Sequence, residues 1–539
     1  MPTEIETQFQ AIVNGIVGSQ APRKVIVAGP GTGKTTLFRK MLQVRDHPRD
    51  HRLILTFINN LKVELDEALG ELARVLTLHG YCRHLLHSRP QLRIGISETF
   101  HYYPPLPSLI ESDWSISRGR PVPKLIGLMR QLEPGDATDF FLERANYYDA
   151  VSFDDSVFRI YQGLNAHPDE IESYETLLID EYQDFNRLEA SLLALLATES
   201  PIVIAGDDDQ ALYSQLRSSS PEFIRARYAD TEYERFALSF CLRCSEVIVR
   251  AVGDIVAAAQ ARGLLTGRIN KPYNFYPPSK AVDSARYPKI RVVETSVQNL
   301  KANYFGQYIA QTIDKIPSDE IRESYEGKFP TVLVIGPGQY LLQVRCHLES
   351  KGYQCDAAVK GEPIEVNRFE GLKILRERPE DNLGWRILIE VDNPSFAHVA
   401  ICASVCDRAP LVKTLPDEFR ERILTEVQAL TEAVEGMPQI SPMDVTRSRV
   451  KFTSFEGSKE LSAQHVFVVG LHEGDLPRQT TAINDLEVCK MIVAITRTRK
   501  QCHLIHTRRW GNDWKRPSSF LSWIQPERRK DVKITKDYW

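Results

Sequence analysis

The chain has 539 residues, 42% of them apolar and 26% charged, with a formal net charge of −4. At about 150 residues per domain this length predicts three or four domains with ample core, and the composition excludes a disordered or fibrous chain. The charge excludes nucleic-acid binding by bulk electrostatics, so such a partner needs a local groove. No run approaches the ~18 apolar residues of a membrane span, and the opening Met-Pro-Thr-Glu-Ile-Glu lacks the layout of a signal peptide, which predicts a cytoplasmic protein. Nine cysteines in so long a chain make no disulfide framework. Cys241/Cys244 and Cys402/Cys406 are the only close pairs, and neither has a second pair to complete a zinc site, so free thiols are expected.

In chain order, the apolar run Val25 to Ala28 reads as a short buried strand, glycines and a proline break it at 29–33, and a helix is predicted from Lys34. Strand, Gly-rich loop and helix make a phosphate-binding loop of Ala28, Gly29, Pro30, Gly31, Thr32, Gly33, Lys34, Thr35 and Thr36. The glycines let backbone N–H groups turn toward a polyphosphate. Lys34 supplies a point charge, and the Thr35 hydroxyl can ligate Mg²⁺. Further apolar runs follow at Arg52–Phe57, Thr176–Asp180, Pro201–Ala205, Ile290–Val293, Thr331–Ile335, Val466–Val469 and Cys502–Ile505, with helical patterns between. This alternation predicts an α/β fold with parallel sheets and sites at the strands' carboxyl ends. The runs fall before 210 and after 285, which predicts two such domains facing each other. The run from Thr176 delivers Asp180 and Glu181 to its end. Asp180 can hold Mg²⁺, and Glu181 can orient and deprotonate an attacking water, so nucleoside triphosphate hydrolysis is expected.

Asp180-Glu-Tyr-Gln-Asp184, followed by Ala205-Gly-Asp-Asp-Asp-Gln-Ala-Leu-Tyr213, resembles motifs II and III of UvrD/Rep-type superfamily 1A DNA helicases, and the family's other motifs can be laid on the chain in order from about residue 8 to 500. The resemblance implies that Gln8 reads adenine, that Phe57 stacks on a base with Asn59 near the backbone, and that Thr77 and His79 touch phosphates. It also implies that Gln210 senses the γ-phosphate and that Tyr213 contacts DNA. Leu238-Ser-Phe-Cys-Leu-Arg243-Cys is similar to motif IV, Val450–Leu461 with Lys459 to motif V, and Val493–Lys500 with Arg497 to motif VI. Arg243 and Arg497 are thereby implied as arginines inserted across the cleft to stabilise the transition state. The chain departs from the family pattern at Leu242 and Gln215, where the family carries aromatics, and at Glu456 to Ser462 in motif V.

Two RecA-like P-loop NTPase domains are therefore expected. Residues 1–81 and 169–235 form the first, with a helical insertion at 82–168 in which His101-Tyr-Tyr-Pro-Pro105, Arg118 and Arg120 are possible strand-facing groups. Residues 236–390 and 445–539 form the second, which ends in a basic, Trp-containing tail, and 391–444 is a reduced insertion whose apolar Phe396, Val399 and Ile401 are core or docking residues. The resemblance implies ATP and Mg²⁺ as cofactors, single-stranded or tailed duplex DNA as substrate, and 3′ to 5′ movement. An ATP-dependent single-stranded DNA translocase or helicase is therefore expected; the alternative, towards which the shortened layout, similar to that of the helicase subunit of the Gabija antiphage system, points, is a DNA-stimulated ATPase subunit that regulates or loads a partner nuclease in repair or antiphage defence.

Overall fold

The computed structural model describes residues 3–44, 47–299, 301–357, 365–430, 447–479 and 481–538. The first sheet holds β1 (Arg23–Ala28), β2 (Arg52–Thr56), β3 (Arg74–Thr77), β4 (Thr176–Ile179), β5 (Ile202–Gly206) and β6 (Glu234–Leu238); aliphatic runs buried on both faces form β1, β2, β4 and β5, while β3 and β6 are partly exposed edges. All neighbours are parallel, in the order β3-β2-β4-β5-β1-β6. The second sheet holds β7 (Ile290–Thr295), β8 (Val332–Ile335), β9 (Cys355–Ala357), β10 (Val450–Thr453), β11 (Ala463–Val469), β12 (Thr498–Thr507) and β13 (Arg529–Ile534). It too is parallel, in the order β9-β10-β8-β11-β12-β7-β13. This is the α/β class with parallel sheets that the sequence predicts.

The strands not read from sequence are mostly edges. β6 pairs with β1, so the first sheet extends to Leu238. The basic stretch from Arg529 is the edge strand β13 beside β7, and Arg528 before it is held by Asp254, its Nη2 donating at 3.0 Å. No helix among the described residues is long and apolar enough to cross a membrane. All nine cysteines are free.

Two groups of helices leave the sheets. The first, from Leu78–Ser88 to Phe153–Ala166, lies between β3 and β4. The second, between β9 and β10, begins at Arg368, ahead of residue 391, and runs to Gln428. The end of the stretch assigned to the reduced insertion, at 431–444, lies outside the described residues. This second group packs on the first group rather than on its own sheet: Trp385, Ile387 and Ile423 share one apolar cluster with Leu109, Trp114 and Phe141. A buried carboxylate joins them. Asp113 accepts from Arg144 Nε and Arg386 Nε at 2.8 Å each and from the Tyr148 hydroxyl at 2.6 Å. Arg144 also donates to the Ser404 carbonyl at 3.1 Å.

The residues considered as strand-facing are engaged here. His101 bonds Asp381 at 2.8 Å, while Arg118 and Arg120 pair with Asp136 and lie over the Trp114 ring. Phe396 packs edge-on against Phe419, Ile401 is buried, and Val399 is exposed.

Candidate functional site

The nucleotide site is assembled where β1, β4 and β5 end, because the sequence breaks each strand with residues that free backbone groups or place carboxylates. After β1, Gly31 and Gly33 adopt φ of +71° and +90°. These left-handed values cost glycine nothing, and they open the loop before the helix Lys34–Gln43, whose N-cap Gly33 has no side-chain cap. Two of the loop's glycines are also needed for space. A Cβ on Gly31 would stand 2.5 Å from Arg243 Cβ, and one on Gly29 would stand 2.7 Å from the Tyr273 ring. Ala28 differs: it is fully buried at the end of β1, and its methyl packs in the apolar cluster beneath the loop.

The cavity over this loop measures about 360 Å³. The walls bring together Gly29 to Thr36, Asp180, Glu181, Gln210, Arg243, Lys459 and Arg497. From the first sheet come Lys34, the carboxylates after β4 and Gln210 after β5. From the second come Lys459, ahead of β11, and Arg497, ahead of β12. The cleft thus lies between the carboxyl end of one sheet and the amino end of the other. Glu181 has φ of +54°, a left-handed turn that carries its side chain off the strand axis into the cleft. There it is paired with Lys34 and receives Gln183 Nε2 at 2.6 Å, with Lys459 Nζ at 3.5 Å. Asp180 accepts the Glu181 N–H at 3.0 Å, and Lys34 Nζ is 3.7 Å away.

Arg497 is the most tightly held cation. Its guanidinium donates to Val493 O at 3.0 Å, to Gln210 Oε1 at 3.1 Å and to the Lys459 carbonyl. Gln210 in turn donates to Asp207 Oδ2 at 2.7 Å, and its carbonyl accepts from Lys459 Nζ at 2.8 Å. Arg243 is held by its backbone neighbour, Leu242 N donating to Gly31 O at 2.9 Å. The Arg243 guanidinium lines the cleft without a salt bridge among the described residues.

The two adjacent carboxylates part company electrostatically. Burial alone raises both, but Lys34 and Lys459 bring Glu181 far below the usual carboxylate range. At Asp180, burial and the Glu181 charge outweigh the more distant Lys34, the Glu181 N–H and Lys459, and hold it above the usual carboxylate range. Burial, then the charge of Arg243, pushes Arg497 down to about 10, still protonated at neutral pH. An ionised Glu181 that already holds Gln183 and faces a cavity is placed to accept a proton. The unpaired Arg243 and the loop N–H groups suit a polyphosphate, and Thr35 with Asp180 offers the oxygen donors that Mg²⁺ takes.

Several members of this site were not singled out from sequence. Asp184, which closes Asp180-Glu-Tyr-Gln-Asp184, is an ion-pair partner of Lys459. Tyr273 donates to Pro30 O at 2.8 Å. Lys271 lies under Gln210, 2.7 Å from Asp207 Oδ1. Only Asp184 carried a signal, its place in a quoted motif. Gln8, implied as the adenine reader, is exposed on the helix Glu4–Gly18 and outside the cavity walls, with Nε2 3.5 Å from Glu4. Its neighbour Phe9 packs against Phe240 and Tyr276, its ring centroid 5.2 Å from that of Tyr276.

The residues implied for DNA lie at the carboxyl ends of β2, β3 and β5. Phe57 is 5% exposed, wedged against Phe185 and Tyr213 with the Arg217 guanidinium 4.0 Å over its ring. Thr77 caps the helix Leu78–Ser88 by accepting Gly80 N at 3.0 Å. His79 is buried, and burial followed by the Arg217 charge lowers it to about 3, so it is neutral at physiological pH. Asn59 is exposed at the start of the helix Asn59–Leu69. The Tyr213 hydroxyl donates to Glu456 O at 3.3 Å. Glu456 borders a second cavity of about 520 Å³ at the carboxyl ends of β8 and β10, lined by Gly336, Gly338, Arg345, Ser454 and Gly457 among others.

Residues 10–215 match the family model described as an AAA domain. The chain is similar to the ATP-dependent DNA helicase PcrA of Staphylococcus aureus, 23% identical over 309 residues that cover 49% of this chain and 42% of that protein. It is equally similar to the PcrA of Staphylococcus epidermidis, 24% identical over 310 residues covering 49% and 42%. The matched stretch therefore spans less than half the length of these relatives. In its paired parallel sheets, its P-loop with the strand-end Asp180 and Glu181, and these likenesses, the chain resembles helicases of the UvrD type.

Proposed function

We propose that the protein hydrolyses Mg²⁺-ATP and uses the cycle to move along single-stranded DNA. The observation that carries this reading is the cleft itself: Glu181 stands between Lys34 of one sheet and Lys459 of the other, with Arg243 and Arg497 facing the same cavity. Thr35 and Asp180 would hold Mg²⁺, which when bound would supply countercharge to the phosphates. Lys34 and the loop N–H groups then bind the β- and γ-phosphates, and Glu181 takes the proton of the attacking water. Because Lys459, Arg243 and Arg497 reach in from the second sheet's side, phosphate binding draws the two sheets together and product release lets them part.

For DNA, the proposed path runs over the carboxyl ends of both sheets. It goes from Asn59 and Thr77 past Tyr213 to the cavity beside Glu456, and movement from 3′ to 5′ is what the resemblance to UvrD/Rep-type helicases implies. Phe57 joins this path only if Arg217 leaves its ring face. The named relatives are ATP-dependent DNA helicases, which supports DNA over RNA. The domain division stated from sequence is kept, with the second helical group counted from Arg368.

A second reading, a DNA-stimulated ATPase subunit serving a partner such as a nuclease, is favoured by one observation. The helices Arg368–Gln428 are bound into the first helical group instead of standing free to grip duplex.

The decisive experiment measures ATP binding and turnover with and without single-stranded DNA for Lys34→Ala and Glu181→Gln. Lys34→Ala is expected to lose binding. Glu181→Gln is expected to bind normally, lose turnover and trap nucleotide. Wild-type turnover by Glu181→Gln would remove Glu181 from the reaction, and turnover indifferent to DNA would remove the motor.

A further inference from the structure

The second sheet carries a polar pocket that the nucleotide reading leaves unused. One face of β7, β11 and β12 is apolar where Val293, Phe467 and Ile505 pack beneath the helix Tyr304–Ile313. Toward the strands' amino ends the same face turns polar: Arg291 pairs in register with His503, and His465 with Gln501. These residues, with Tyr308 and Lys315, line a cavity of about 110 Å³. None of its lining residues lines the nucleotide cleft. Burying polar groups on a sheet face costs stability unless each finds a partner. Here two do not: His465 Nδ1 and His503 Nε2 are both buried and have no hydrogen-bond partner.

The protonation of His503 follows from its neighbours. Burial holds it far below the usual imidazole range, so the ring is neutral with one N–H. The Tyr308 hydroxyl lies 2.9 Å from His503 Nδ1, beside the Arg291 charge. With the Tyr308 O–H donating to Nδ1, the ring proton sits on Nε2, a donor without a partner. His465 uses Nε2–H on Glu320 Oε2 at 2.8 Å and leaves Nδ1 to accept. Arg291 and Lys315 enter no salt bridge among the described residues, whereas Glu320 is already engaged by His465, Tyr287 and Arg286.

We propose that this pocket binds a phosphoryl group, as hydrogen phosphate or as the end of a phosphomonoester. The size admits one such group and no nucleoside. Arg291 and Lys315 supply the countercharge, His503 Nε2–H donates to a phosphoryl oxygen, and His465 Nδ1 accepts from the P–OH of hydrogen phosphate or of the singly protonated phosphomonoester, which sulfate lacks at neutral pH.

The test uses the full chain with its cleft filled by a saturating non-hydrolysable ATP analogue, so that added anion reports only the second pocket. Thermal denaturation and calorimetry are followed with inorganic phosphate, with sulfate, and with a 5′-phosphorylated dinucleotide beside its unphosphorylated form. Phosphate is expected to raise Tm in a saturable way and sulfate to do so far less. Arg291→Gln and the exposed-site Lys315→Gln are expected to abolish the rise while binding the ATP analogue normally. A response to the phosphorylated dinucleotide and not to its unphosphorylated form assigns the group to a nucleic-acid end, and a response to inorganic phosphate alone assigns it to the free anion. No phosphate-dependent rise, equal rises with sulfate, or a rise kept by both variants would overturn the proposal and leave a water-filled polar cavity.

Discussion

Arg243 and Arg497 look alike in a motif table and differ in the molecule. Arg497 is fully buried and spends its donors on Val493, Gln210 and Lys459, so it also holds the cleft together. Arg243 lies over Gly31 with its guanidinium unpaired by any carboxylate among the described residues. Arg243→Ala is therefore expected to lower kcat by roughly 10³-fold or more, as for other inserted arginines, while stability changes by no more than about 0.5 kcal/mol. Arg497→Ala should lose both activity and stability, because Gln210 and the Lys459 carbonyl are left unpaired in a buried site. Steady-state kinetics with urea unfolding separates the two; equal stability losses would refute the distinction.

His79 gives a pH signature at the same scale. Its folded value near 3 lies below the ordinary ~6.5 of an unfolded histidine, so below that pH the unfolded chain binds the extra proton first. Stability tied to His79 is thus complete above about pH 6.5 and is lost as pH falls toward 3. At pH 5 the loss is about 2 kcal/mol. His79→Phe should reduce the pH 7.5 to pH 5 stability difference by that amount, and an unchanged difference in denaturant titrations would count against a buried, neutral His79.

Among elements, the loop Asp207–Gln210 shows what a linear motif conceals. Three consecutive carboxylates look like a metal site, yet each is matched by a cation from another part of the chain. Lys271 reaches all three, Arg268 holds Asp209 and Arg225 holds Asp208. Lys271 neutralises Asp207, and Asp207 fixes the amide that presents Gln210 to Arg497. Lys271→Met leaves three buried carboxylates short of a charge and should cost about 3–5 kcal/mol. Where that variant remains folded, kcat should fall more than KM rises, since the nucleotide's own contacts are untouched, and Lys271→Arg should recover part of both.

The strands that bear the site were legible because β1, β4 and β5 are apolar on both faces and end abruptly in Gly or Asp. The missed β3 is short, and β6 and β13 are edge strands whose outward positions are polar, so no apolar run marks them. Lys271 was not legible at all. Nothing local in Arg268-Ile-Asn-Lys271 reports carboxylates some 60 residues earlier in the chain.

At the scale of the whole molecule, the helix Asn382–Asp392 has one apolar face, and nothing in its own sequence tells what buries it. Its Leu383, Trp385 and Ile387 face the helices after β3, not the sheet that precedes them in the chain. Asp113, fully buried between Arg144 and Arg386, ties that seam: parting the helices breaks its pair with Arg386 and opens the shared apolar cluster to water. The two helical groups should therefore move as one body with the first sheet, while the second sheet opens and closes against it around the nucleotide. Dyes placed on Glu111 and Glu377 should report one unchanged distance through nucleotide and DNA binding, whereas a pair on Glu71 and Glu326 should change. A helical group locked in this way cannot swing to grip duplex ahead of the junction. The isolated chain is accordingly expected to show brisk ATPase on single strands and weak strand displacement on tailed duplexes, with displacement restored by a partner that supplies the missing grip. Arg386→Met, which breaks the seam, should alter the Glu111–Glu377 distance without improving displacement. Processive unwinding of long duplexes by the wild-type chain alone, or a Glu111–Glu377 distance that follows the nucleotide cycle, would sink the locked arrangement and with it the partnered-subunit reading.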